Sequence, residues 1–105
     1  MITAVVKFRL QPEMSRDKWQ EHIKQVSARF QNVPGLISKQ FLYNDEGIGG
    51  GVYLWETREA AENCYYKSPW GENVRKASGD NEPEIAWFET GVVVDNESRQ
   101  IKIAT

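Results

Sequence analysis

The chain is short of the residues on which most recognisable sites are built. It has one cysteine, Cys64, and one histidine, His22. A lone cysteine forms no internal disulfide, which fits a reducing compartment. No basic residue or histidine is near it in sequence to activate the thiol, so Cys64 reads as a small buried hydrophobe. One histidine, with no cysteine cluster and no His-x-x-x-His pair, gives poor metal-ligand spacing, and no metal is expected. No apolar run approaches the roughly 18 residues needed to cross a bilayer. The opening, Met1 to Lys7, is charged too early to read as a secretion signal, so a cytoplasmic protein is expected. Excess positive charge is also missing. Thirteen lysines and arginines against fifteen acids leave a net charge of -2, which lacks the footprint of a general nucleic-acid binder.

The chain does have periodicity and aromatic rings. Its 105 residues suit one domain. Residues 2–10 alternate, with Ile2, Ala4, Val6, Phe8 and Leu10 on one face of a strand. From residue 15 to 32 the period becomes helical. Ser15 is placed as N-cap, and Trp19, Ile23, Val26, Phe30 and Val33 form a core-facing stripe. Pro34-Gly35 ends that helix. Residues 37–43 read as a second strand, with Ile37, Phe41 and Tyr43 on one face and Lys39 among them. A hairpin over 44–49 leads to a third strand over 50–56. Thr57 caps a helix ending near Lys67, and Ser68-Pro69 opens a shorter one to about Lys76. Residues 84–95 read as one long strand, apolar on both faces, which needs cover on both sides. A single helix layer covers one face, so a second subunit is expected on the other. The domain is expected to span residues 1–96, with 97–105 a tail or short edge strand.

The order β-α-β-β-α-β is that of the ferredoxin-like split βαβ arrangement, an α+β fold with a four-stranded antiparallel sheet. It is shared with RNA-recognition modules. The polar face of the first strand, however, carries Thr3, Val5, Lys7 and Arg9 with no stacking ring, which argues against nucleic acid.

Three groups of residues bear on function. The glycines at 47 and 49–51 precede a strand rather than a helix, and no Lys-Ser or Lys-Thr follows. They therefore read as a hairpin or close backbone contact rather than a phosphate loop. His22 lies one step off the helical stripe, either as a proton acceptor at the rim of a cavity or as an exposed flank residue. Tyr53, Trp55, Tyr65, Tyr66, Trp70 and Trp87 either fill the core or line a small-molecule pocket, since buried Tyr and Trp need partners for their polar tips. Arg75 is either an oxyanion partner or a solvated surface charge.

Pro34-Gly35, the run Gly50-Gly51-Val52-Tyr53-Leu54-Trp55 and the helix opening Thr57-Arg58-Glu59-Ala60-Ala61 resemble the dimeric α+β barrel superfamily. The likeness is nearest to its small bacterial YdhR-like branch, whose members are taken to be mono-oxygenases, and covers roughly residues 2 to 95. The resemblance implies a homodimer joined through sheet faces. It also implies, by likeness to antibiotic-biosynthesis mono-oxygenases, oxidation of a small quinol- or anthrone-like aromatic substrate without flavin, haem or metal. The substrate would be deprotonated and its carbanion would react with oxygen. On that expectation His22, Tyr66 and Arg75 are the catalytic candidates, and Tyr53, Trp55, Trp70 and Trp87 bind substrate. Haem-degrading relatives carry a histidine in the second helical segment. This chain has none between Thr57 and Asp80, which argues against that activity. A non-catalytic dimer that binds a small molecule is the alternative.

Overall fold

A computed structural model describes residues 1–104; the last residue of the expected tail lies outside them. The elements run β1 (Ile2–Arg9), α1 (Arg16–Val26), β2 (Leu36–Tyr43), β3 (Ile48–Trp55), α2 (Arg58–Lys67), α3 (Trp70–Ser78), β4 (Glu84–Glu89), β5 (Val92–Asp95) and β6 (Gln100–Ile103). The main sheet is antiparallel with order β2-β3-β1-β4, and the fold is ferredoxin-like α+β. Among the described residues no helix is long and apolar enough to cross a membrane.

The helices start where side-chain oxygens satisfy their free N–H groups. Lys18 N–H donates to Ser15 Oγ, and Ala60 N–H donates to Thr57 Oγ1. The expected first helix is shorter than its pattern, because after Val26 the chain tightens into a 3-10 turn over Ser27–Phe30. That turn swings Phe30 back onto β2, edge-on to Phe41. Gly79 ends α3 in the left-handed conformation, with Asp80 N–H bonded back to the Arg75 carbonyl.

All helices lie on one face of the sheet. Ala4, Val6, Phe8 and Leu10 of β1 are buried there with Tyr53 and Trp55 of β3. The opposite face presents Val5, Val52 and Leu54, with Leu42 and Phe88 exposed.

Two expectations need correction. The strand expected over 84–95 is broken. β4 pairs with β1 back to Ile2↔Glu89, and after a last bond from Thr90 N–H to the Met1 carbonyl the chain turns out of the sheet. It leaves at Thr90-Gly91 and pairs instead with β6, in a separate hairpin whose turn is held by Asp95 Oδ1 accepting from Glu97 and Ser98 N–H. In β2, a register irregularity between Leu36 and Ser38 gives Leu36 the place opposite Trp55 and leaves Ile37 exposed, off the apolar face assigned to it.

Candidate functional site

A cavity of about 520 Å³ lies between α1, the inner face of the sheet and the corner where α2 meets α3. A space of that size falls in the range of small-molecule sites. Gly50 of β3 lies on its floor, with a glycine on either side. Gly49, Gly50 and Gly51 are all buried in β3, whereas only Gly47 belongs to the turn. A side chain at Gly49 would press on Trp19, and one at Gly51 would press on Tyr53 and the Lys39 stem. The glycine run is thus bare floor on which large neighbours lie.

Trp19 of α1 fixes one wall, its indole N–H donating to the Leu42 carbonyl at 3.3 Å. His22 stacks on Trp19, with ring centroids 5.4 Å apart, and reaches the cavity from an exposed position. At the other end Trp70, the first residue of α3, donates its indole N–H to Tyr53 Oη at 3.0 Å. Ser68 Oγ accepts from Trp70 N–H while its own proton goes to the Cys64 carbonyl, which holds the α2–α3 corner. Behind this wall, Trp55 donates to Tyr65 Oη at 3.0 Å. Both tyrosines therefore accept from an indole, and burial pushes both hydroxyls well above the ordinary tyrosine range.

Lys39 is half-buried in the same wall. The inner face of β2 carries Lys39, Phe41 and Tyr43, so the pleat aims a lysine into apolar surroundings. Its Nζ lies 3.4 Å from the ring centroid of Phe30, 3.7 Å from that of Phe41 and 4.4 Å from that of Tyr53. Burial lowers its pKa from 10.5 to about 7, and nearby Cys64 opposes that shift. The ring faces attract whatever fraction is ammonium. A substantial share of Lys39 is therefore free amine near neutrality, in contact with the cavity.

Of the residues singled out in the sequence, Tyr53, Trp70 and His22 come together on the cavity wall. Trp55 is fully buried behind Tyr53, its ring nearly parallel at 5.9 Å. Trp87 packs on Tyr65 and is covered by the Arg58 guanidinium, away from the cavity. Tyr66 is 63% exposed on the outer side of α2. Arg75 faces Glu82 at 3.7 Å and is not on the wall. Sequence reasoning passed over Lys39, although its signal was present: a charge at an inward position of an apolar strand face. Among the described residues no three His, Cys, Asp or Glu side chains gather as a metal-ligand set.

A split βαβ sheet with one helix layer and an aromatic cavity between them defines a ferredoxin-like α+β protein. More particularly, the chain has the fold of the antibiotic biosynthesis monooxygenases. It is similar to a solved antibiotic biosynthesis monooxygenase (TM-score 0.67, 11% identity, 86% of this chain and 98% of that one). It is also similar to the ActVA-Orf6 monooxygenase of Streptomyces coelicolor in complex with nanaomycin D (TM-score 0.63, 19% identity, 90% and 92%). A third similar structure is NE2512, a protein of unknown function from Nitrosomonas europaea (TM-score 0.69, 10% identity, 85% and 87%). No family model and no curated protein matches the sequence.

Proposed function

We propose that this protein is a cofactor-independent mono-oxygenase acting on a small, electron-rich aromatic compound of the quinol or anthrone type. The observation that carries this reading is a half-buried, ring-caged amine, Lys39, with a pKa of about 7 on the wall of an apolar cavity large enough for such a ring system. The chemistry needs a proton acceptor matched to neutral pH and a site that shields a carbanion from water. Lys39 takes the proton from the activated C–H or O–H of the substrate, in the role considered for His22. The resulting ammonium stays against the carbanion or phenolate and stabilises it. Tyr53, held in place by the Trp70 indole, keeps its own proton and donates to the substrate oxygen. The carbanion passes electrons to oxygen and a carbon–oxygen bond forms. The hydroperoxide then loses water, so that a CH₂ carbon and O₂ become a carbonyl and H₂O.

Oxygen uptake with a panel of anthrones and hydroquinones tests this reading. Turnover is expected, and Lys39→Met is expected to lower it by about 10²-fold or more, the ordinary worth of a positioned base. No uptake across the panel, with a ligand nonetheless bound, would favour the alternative of a non-catalytic binding protein.

The enzyme is further proposed to work as a homodimer joined through the open sheet faces. The support is the unpartnered apolar surface: Val5, Val52, Leu54 and Phe88 on the sheet, and Val92, Val94, Ile101 and Ile103 together on one face of the β5–β6 hairpin. Apolar patches of that extent on small chains usually mark an interface. Sedimentation velocity is expected to give twice the chain mass, and Val52→Glu to give the single chain, because it sets like charges face to face across a two-fold axis. A monomeric parent protein would overturn this proposal.

A further inference from the structure

We propose that the cavity is a receptor for an aromatic acid in its anionic form, with the ligand's carboxylate or phenolate oxygen paired to Lys39 Nζ. The proposal rests on the reading of the cavity as the ligand site, and not on oxygen chemistry.

The first argument is the sign of charge. The charge-bearing side chains on the wall are Arg29, Lys39 and Lys76, with His22 beside them, and neither Asp nor Glu is among them. The chain as a whole has more acids than bases, so this bias is local. Lys76 is already engaged with Glu72 at 3.8 Å. Among the described residues, neither Lys39 nor Arg29 has a carboxylate within ion-pair distance. A half-buried ammonium without a counter-charge is disfavoured, and a ligand anion would supply the missing partner.

The second argument is geometry. The faces of Phe30, Phe41 and Tyr53 are occupied by the protein's own lysine, so a cationic ligand meets a like charge rather than an open ring. The Tyr53 hydroxyl accepts from Trp70, and its own proton has no acceptor among the described residues. That proton is available to a second oxygen of the anion. Phe8, Trp19 and Trp70 give the flat body of the ligand its apolar walls.

A proton linkage follows. Lys39 is faced by Tyr53 from β3 and Cys64 from α2, while His22 and Arg29 from α1 and its following turn, and Lys76 from α3, share the cavity wall with it. Burial raises both Tyr53 and Cys64, which keeps them uncharged near neutrality. The bound anion is then the one negative charge beside Lys39, and it draws a proton onto the amine.

Calorimetric titration with naphthoate, its neutral isostere naphthamide, and naphthylmethylammonium tests this. Naphthoate is expected to bind at least about tenfold tighter than either analogue near pH 6, and to lose up to about a hundredfold by pH 9 as free amine replaces ammonium. Naphthamide affinity should stay within about threefold over the same range. Near pH 9, naphthoate binding should take up close to one proton, read from buffers of different ionisation enthalpy. His22→Gln should keep the pH slope, and Lys39→Met should bind naphthoate no better than naphthamide. Equal binding of naphthoate and naphthamide near pH 6, or a flat pH profile for naphthoate in the parent protein, would overturn the anion proposal and leave the cavity as the ligand site. Failure of all three probes to bind would overturn both.

Discussion

Gly50→Ala is expected to leave no folded protein, although it adds only one methyl group. Gly50 sits in β3 opposite Lys7 of β1, in the middle of the sheet, with φ at +156°. A Cβ there would run into the carbonyl oxygen of Val6 and close on the backbone of Lys7. The obstacle is main chain, so no rotamer change relieves it. Relief requires β1 and β3 to separate, and both are interior strands of the order β2-β3-β1-β4. The destabilisation should exceed roughly 4 kcal/mol, the range in which single substitutions consume most of a small domain's stability. Circular dichroism and a urea titration of the variant would read this directly. A cooperative transition within about 1 kcal/mol of the parent would show that the strands accept the methyl group. Gly47→Ala is the control. Its Cβ meets nothing, so it should show only the modest strain of a residue with φ at +79°.

Lys39→Met is expected to act in the opposite direction on stability while removing function. In the folded chain the amine prefers to be neutral, with a pKa of about 7 against 10.5 when exposed. Below about pH 7 the folded state therefore carries the full penalty of a buried ammonium, and above about pH 10.5 it carries none. Between those values the unfolded chain binds more protons, so the stability of the parent protein rises with pH. At about 1.4 kcal/mol per pH unit, offset by roughly 1 kcal/mol of attraction to the ring faces, the penalty is of order 4 kcal/mol. Methionine fills the same cage without a charge and packs well on aromatic rings. The variant should unfold at higher denaturant than the parent near pH 7, match it near pH 10, and lose the rise between them. A variant less stable than the parent at neutral pH would show that the ring faces hold the ammonium more strongly than burial opposes it. The combination of a stability gain with lost turnover would mark Lys39 as a group kept for function at the expense of stability.

Most of the architecture was legible because it depends on short-range chemistry. Alternation in residues 2–10 set the buried face of β1, and Ser15 and Thr57 marked where α1 and α2 begin. Pro34-Gly35 marked the turn into β2, and Ser68-Pro69 marked the corner before α3. These signals are local: a period, a cap or a backbone angle. The break in the last strand was not local. Residues 84–95 have an unbroken apolar pattern, yet after the bond from Thr90 N–H to the Met1 carbonyl the chain leaves β1 and pairs with β6. Sequence pattern encodes a strand's propensity but not which strand it pairs with.

The site divides along the same line. The polar tips of Tyr53 and Trp70 left core packing and pocket lining both open, and the structure joins the two through one hydrogen bond between residues 17 apart. Tyr66 and Arg75 are of the same residue types as the wall-forming side chains, but helix phase turns them toward solvent and Glu82, and only packing fixes that phase. Lys39 was visible in the sequence as a charge on an apolar face. Its importance came only when the 3-10 turn brought Phe30 across to meet Phe41 and Tyr53 around its Nζ. The sequence by itself determined the split βαβ order, the caps, the turns and the supply of rings. Tertiary structure alone decided where the last strand leaves the sheet, which aromatic side chains face the cavity, and that one lysine is half-buried among rings. Burial and a long-range ring cage set that lysine's proton affinity, and neither is a property of its neighbours along the chain.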